Sequence, residues 1–201
     1  MSNNKELMWH YAVALVVLGS SVYHCHLKLK SKLEDMRLRD SVHQFTVSDT
    51  HGQMVRLQSY AGQVLLIVNI ASRCGLTQAQ YTGLAMLRDK YEARGLRILN
   101  FPCNQFGNQM PEADGFELLE HMRQVKLNIG SLFAKLEVNG LTAAPLFEML
   151  KRKRCHVPGG EIEWNFGKFL IDKFGYVYRR YEPQTPPSAL EEDIEHLLNY
   201  R

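Results

Sequence analysis

The stretch Val64-Leu65-Leu66-Ile67-Val68-Asn69-Ile70 constrains this chain more than any other. It is a nearly unbroken apolar run rich in β-branched residues, the pattern of a strand buried on both faces. Such a strand needs cover on both sides, so the run predicts a layered α/β domain. Ala71-Ser72-Arg73-Cys74-Gly75-Leu76 follows as a small polar loop, and a helical pattern then begins. Cys74 thus stands where a buried strand hands over to a helix. Unpaired amides and the dipole at a helix start stabilise negative charge there, and Arg73 adds a neighbouring cation. Both effects favour a thiolate, the form of cysteine that attacks electrophiles. The same position also suits an inert buried cysteine, the usual fate of a free thiol.

The rest of the pattern extends this layered plan. Tyr81, Leu84, Leu87 and Tyr91 recur at helical spacing, with Gly95 as the capping glycine. Leu96 to Phe101 reads as a second buried strand, which makes a right-handed parallel crossover. Upstream, Phe45-Thr46-Val47 and Met54-Val55-Arg56-Leu57 flank Asp49-Thr50-His51-Gly52 as a hairpin. Downstream, a helix is expected from about Ala113 to Lys126 with Phe116, Leu119 and Met122 on one side. Leu132 to Val138 reads as an irregular connection, and Pro145 opens a short helix, Leu146 to Lys151. Phe166 to Ile171 and Tyr176 to Tyr181 form a second hairpin around Asp172-Lys173-Phe174-Gly175. The last helix starts near Ser188, where Glu191 completes a capping box, and carries Leu190, Ile194, Leu197 and Leu198. A parallel crossover, an antiparallel hairpin and a closing helix make an α/β, thioredoxin-like fold, a central mixed β-sheet flanked by helices, over residues 40–201.

Residues 1–39 read as an appendage: an N-terminal hydrophobic anchor or signal segment followed by a charged stalk. Leu7 to Tyr23 is almost wholly apolar, near the lower limit for a transmembrane helix, with Trp9, Tyr11 and Tyr23 near its ends. A cleaved signal ending at Gly19-Ser20-Ser21 and a mitochondrial presequence are the competing readings. Lys28, Lys30 and Lys32 follow the segment, which by the positive-inside rule puts the domain in the cytosol. Leu29 to Asp40 alternates acidic and basic residues as a solvated helical stalk does. The net charge of +3 gives no case for nucleic acid. Four cysteines at irregular positions (Cys25, Cys74, Cys103, Cys155) form neither a disulfide framework nor paired zinc-ligand spacing, so no metal is expected and redox chemistry suits them better.

Three separated motifs carry a family resemblance. Asn69-Ile70-Ala71-Ser72-Arg73-Cys74-Gly75-Leu76-Thr77 resembles the peroxidatic motif of the glutathione peroxidases, Phe101-Pro102-Cys103-Asn104-Gln105-Phe106-Gly107 their second signature, and Trp164-Asn165-Phe166 their third. The resemblance runs from about Ser41 to the C-terminus and implies a peroxidase in which cysteine stands where many animal relatives use selenocysteine. It implies that Cys74 attacks a hydrogen, organic or lipid hydroperoxide and becomes a sulfenic acid. Gln109, Trp164 and Asn165 would surround it as neutral donors. No cofactor is implied; glutathione or a thiol protein of the thioredoxin or protein disulfide isomerase kind serves as reductant. Met122 falls where thioredoxin-dependent members carry a resolving cysteine, which leaves Cys103 as the candidate resolver or as a structural thiol. A membrane-bound peroxide sensor that passes its oxidation to a partner protein is the alternative function. Tetrameric members carry a long insertion before the Trp-Asn motif. Here only Lys151 to Glu163 joins Leu150 to Trp164, which resembles the monomeric phospholipid-hydroperoxide type. The Lys151-Arg152-Lys153-Arg154 cluster either touches anionic headgroups or is a solvated charge run. Anchored members suggest the endoplasmic reticulum or secretory pathway, against the charge rule; cytosol-facing and mitochondrial placements stay open.

Overall fold

The computed structural model describes residues 40–152 and 157–200, together with Lys28. Chain contacts separate Met1–Asp40 from Ser41–Arg201. The apolar segment Leu7–Tyr23, the stalk over 29–39, Cys25 and Cys155 lie outside the described residues. Among the described residues no helix is long and apolar enough to cross a membrane.

Two short strands, β1 (Thr46–Ser48) and β2 (Met54–Arg56), pair antiparallel. Asp49 closes their turn by accepting from the amides of His51 and Gln53, both at 2.8 Å. The apolar run is β3 (Val64–Ile70), and every residue in it is fully buried. Helix α1 (Thr77–Tyr91) follows, and after Gly95, at φ +106°, the chain returns as β4 (Leu96–Pro102), parallel to β3. Beyond α2 (Phe116–Val125) come the two-residue β5 (Ser131–Leu132) and the short α3 (Pro145–Leu150). The antiparallel pair β6 (Lys168–Ile171) and β7 (Val177–Tyr181) precedes α4 (Glu191–Asn199). The five-stranded sheet runs β5-β4-β3-β6-β7, mixed as expected, with β3 in the middle.

Side-chain alternation along β3 sorts the core into two layers. Val64, Leu66, Val68 and Ile70 pack with Tyr81 and Leu84 of α1, Leu118 and Met122 of α2, and Ile194 and Leu197 of α4. Leu65 and Ile67 pack on the other face with Phe101, Phe147 and Phe169. Each large apolar side chain so buried contributes about 1.5–3 kcal/mol of transfer free energy. This two-sided burial holds the C-terminal end of β3, and hence the Cys74 loop, on a rigid support.

The structure departs from the sequence pattern in two places. Helix α2 begins at Phe116 after Gly115, at φ +75°, rather than near Ala113, and its buried residues are Leu118 and Met122. Phe116 lies two positions before Leu118, on the opposite side of a 3.6-residue turn, and is exposed. The capping box at α4 does not form. A 3-10 turn, Pro187–Leu190, leads into the helix, and Glu191 turns its carboxylate to Lys90 and to the hydroxyl of Tyr91.

Candidate active site

Cys74 sits in the turn between β3 and α1, 9% exposed, at the edge of the layer that holds Tyr81, Met110 and Phe166. The turn is closed through Thr77. Its hydroxyl donates to the Ala71 carbonyl at 2.8 Å and accepts from the Cys74 amide at 3.1 Å, and its own amide donates to the Cys74 carbonyl at 2.9 Å. Thr77 thereby satisfies groups that a helix start leaves unpaired.

A second loop is stitched to the first. The Gln109 carbonyl accepts from the amides of Ser72 at 3.0 Å and Arg73 at 2.9 Å. The Glu112 carboxylate takes the Ser72 hydroxyl at 2.5 Å and lies 3.6 Å from the Arg73 guanidinium. The cation expected to support Cys74 is thus shared with a carboxylate. Burial pushes the Glu112 carboxyl up. Hydrogen bonds from Ser72 and its own amide, with His121 and Arg73, outweigh that and hold it below the ordinary value. Lys135 caps the same loop at the Met110 and Glu112 carbonyls.

The third segment brings Trp164 and Asn165. Asn165 is fully buried and donates from Nδ2 to Gln109 Oε1 at 2.9 Å. That bond occupies the acceptor end of Gln109 and leaves its Nε2 hydrogens as the end free to donate. Asn165 Oδ1 has no partner among the described residues. Trp164 is more than one-third exposed, and its ring lies 5.8 Å from that of Phe106 between centroids. Phe166 adopts φ +69°, an uncommon conformation for a bulky residue, and three hydrogen bonds hold the turn there. Phe166 N–H donates to the Asn69 carbonyl at 2.7 Å, Asn69 Nδ2 donates to the Trp164 carbonyl at 3.1 Å, and Lys168 Nζ donates to the Phe166 carbonyl at 2.7 Å.

Of the residues predicted from sequence, Gln109 and Asn165 are in direct contact, Trp164 adjoins Asn165 on the chain, and the Gln109 loop is bonded to the Cys74 loop. Cys103 stands apart. Its amide donates to the Ile70 carbonyl at 3.1 Å, but its side chain belongs to the opposite core layer from Cys74 and is fully buried. Both thiols are free. Burial pushes the Cys103 thiol up against the backbone amides of Gln105 and Val138. The residues that sequence reasoning missed are Asn69, Thr77, Glu112 and Lys168. Lys168 carried a signal as a lone cation in an apolar strand, and Asn69 and Thr77 lay inside the first motif without a role assigned to them.

The glutathione peroxidase family profile matches residues 42–151. A probable phospholipid hydroperoxide glutathione peroxidase of Citrus sinensis is 49% identical over 160 residues, covering 80% of this chain and 95% of the relative. The chloroplastic phospholipid hydroperoxide glutathione peroxidase 1 of Arabidopsis thaliana is 47% identical over 79% of this chain and 66% of its own length. A probable phospholipid hydroperoxide glutathione peroxidase 6, mitochondrial, of the same plant is 46% identical over 79% of this chain and 68% of its own length. The apo crystal structure of Trgpx superposes with a TM-score of 0.65 at 33% identity, covering 80% of this chain and 96% of that one. By sequence profile, by relatives and by thioredoxin-like fold, the chain belongs to the glutathione peroxidase family and is a glutathione peroxidase-like enzyme.

Proposed function

We propose that this enzyme reduces hydrogen, organic and lipid hydroperoxides through Cys74. The observation that carries the reading is the Asn165–Gln109 amide bond at 2.9 Å, on a loop whose Gln109 carbonyl is bonded to Ser72 and Arg73 beside the cysteine. The Cys74 thiolate sulfur attacks one peroxide oxygen and the O–O bond breaks. Sulfur loses two electrons and becomes a sulfenic acid. The departing oxygen takes up the proton the thiol released and leaves as water or an alcohol. Gln109 Nε2 and the Trp164 indole N–H donate to the charge on sulfur and on the departing oxygen. Asn165 holds Gln109 in the donating orientation. A first reducing thiol then condenses with the sulfenic acid, releasing water and leaving a mixed disulfide. A second thiol displaces Cys74 and departs in a disulfide with the first.

Cys103 is poorly suited to resolve this sulfenic acid, since its buried side chain lies in the opposite layer and its thiol is pushed up. Reduction therefore falls to an external thiol, glutathione or a disulfide isomerase in preference to thioredoxin. Hydroperoxide consumption by the full chain with each reductant in turn tests this. Steady turnover with glutathione, unchanged in Cys103→Ser, is expected. Turnover with thioredoxin alone, lost in Cys103→Ser, would contradict it. Turnover with the isomerase and none with glutathione selects the alternative, a membrane-bound peroxide sensor that oxidises a partner protein.

The short span from Lys151 to Glu163 supports a monomer whose exposed Trp164 leaves the site open to bulky lipid hydroperoxides. The apolar composition of Leu7 to Tyr23 supports a single-pass membrane anchor, and resemblance to anchored family members makes the endoplasmic reticulum or secretory pathway its expected location. Alkaline extraction of membranes should leave the chain in the pellet; release into the supernatant contradicts the anchor.

A further inference from the structure

We propose that Lys168 is a positioning residue whose ammonium charge holds the Trp164–Asn165–Phe166 turn in the conformation that Cys74 oxidation needs. The inference rests on the peroxidase reading above and goes beyond it, because Lys168 belongs to none of the motifs.

Lys168 is fully buried on β6, between Val68 of β3 and Tyr181 of β7. Its Nζ donates to the carbonyls of Phe166 at 2.7 Å, Pro183 at 3.2 Å and Glu182 at 3.4 Å. Three donors thus meet three main-chain acceptors. Two acceptors lie on the segment that follows β7 and one lies in the turn beside Asn165. Gln80 of α1 secures the far segment independently, donating to the Pro183 and Thr185 carbonyls at 3.1 and 3.3 Å. The ammonium is therefore the tie between a fixed segment and the turn at φ +69°. A neutral amine keeps only two N–H donors and loses the charge assistance that makes such bonds strong.

Among the described residues no carboxylate pairs with this cation. Across β7, Tyr181 sends its hydroxyl to Asp193 at 2.5 Å, and Glu182 offers Lys168 its carbonyl. Gln80 on α1 is neutral, and Val68 on β3 is apolar. The core layer on this side of the sheet also holds Tyr81, Tyr91, Tyr181 and Cys74, and the buried Asp193 carboxylate is paired with Arg179 at 2.6 Å. Burial alone pushes the ammonium down to about 7. The charge is thus held at a cost, and its loss is expected as pH rises through about 7. Above that value the unfolded chain still holds a proton that the folded chain has released, so this group makes stability rise with pH up to the ordinary lysine range. Reactivity toward peroxide should move the other way, which separates loosening of the turn from unfolding.

The test is rapid-quench oxidation of the full chain by hydrogen peroxide, with Cys74 followed by alkylation and peptide mass spectrometry, from about pH 6 to about pH 8.5. At the lower pH, Lys168→Met should react about 10–100-fold more slowly than wild type, the size of loss that misplacement of site groups produces. As pH rises the wild type should fall toward the Met variant, while Lys168→Arg, which keeps its charge, should not. A Met variant as fast as wild type at the lower pH overturns the proposal. If Met unfolds the chain, the wild-type to Arg ratio decides; a ratio constant across the range overturns it. Wild-type Cys74 inert at every pH would instead overturn the peroxidase reading itself.

Discussion

Cys74→Ser is expected to lose peroxide reduction altogether, a fall of at least about 10⁴-fold, with every reductant. The hydroxyl that replaces the thiol is far less ionised at neutral pH, and oxygen is a much weaker nucleophile toward peroxide than sulfur. The fold should survive. Thr77 is bonded to the backbone of residue 74 and not to its side chain, and the side chain lies at the edge of its core layer. A thermal transition close to that of wild type, alongside lost activity, separates chemistry from stability. Retention of most activity would remove Cys74 from the mechanism.

Gln109→Ala should slow Cys74 oxidation by about 10²-fold, the loss typical when one preorganised donor is removed from a developing charge. The two main-chain bonds from Ser72 and Arg73 go to the Gln109 carbonyl and remain in the variant, so the loop keeps its place. What disappears is the amide that faces Asn165. That leaves the buried Asn165 side chain without its hydrogen-bond partner, at a cost of about 1–3 kcal/mol in stability. Because Asn165 is proposed to act through Gln109, Asn165→Ala should add little to the rate loss in the Gln109→Ala background. Fully additive rate losses would show that each amide acts on the sulfur independently.

The central layers of this fold were legible in the sequence because their signals were long and redundant. α1 repeats one period over 15 residues, and β3 and β4 are apolar runs of seven residues each, so no single substitution disguises them. Short signals were less secure. The apolar residues of α2 admit two faces, and packing into the core layer of β3 selects the one with Leu118 and Met122. The capping box at α4 failed because Glu191 has tertiary partners in Lys90 and Tyr91, which no local pattern announces.

The site divides along the same line. Cys74, Trp164 and Asn165 stood out because they lie in motifs, each legible over a few consecutive residues, and Gln109 because it follows the second motif by two positions. The contacts that assemble them were not legible, since Asn165 and Gln109 are 56 positions apart and Asn69 and Trp164 are 95 apart. Arg73 looked like unopposed positive charge in one dimension, whereas in three it faces Glu112. Lys168 is a lone cation between Phe166 and Phe169 that no motif includes. Its meaning came only with the carbonyls of Glu182 and Pro183, which the β6–β7 hairpin folds back beside it.

The reaction of Cys74 with hydrogen peroxide tests the mechanism most directly. One equivalent added to the full chain without thiol, followed by a sulfenic-acid trap and peptide mass spectrometry, measures it. The predicted result is a trapped sulfenic acid on Cys74 in most of the chains, with Cys103 still a free thiol. Recovery of Cys74 unmodified while the peroxide is consumed would contradict the mechanism, and near-complete conversion to a Cys74–Cys103 disulfide would contradict the assignment of reduction to an external thiol.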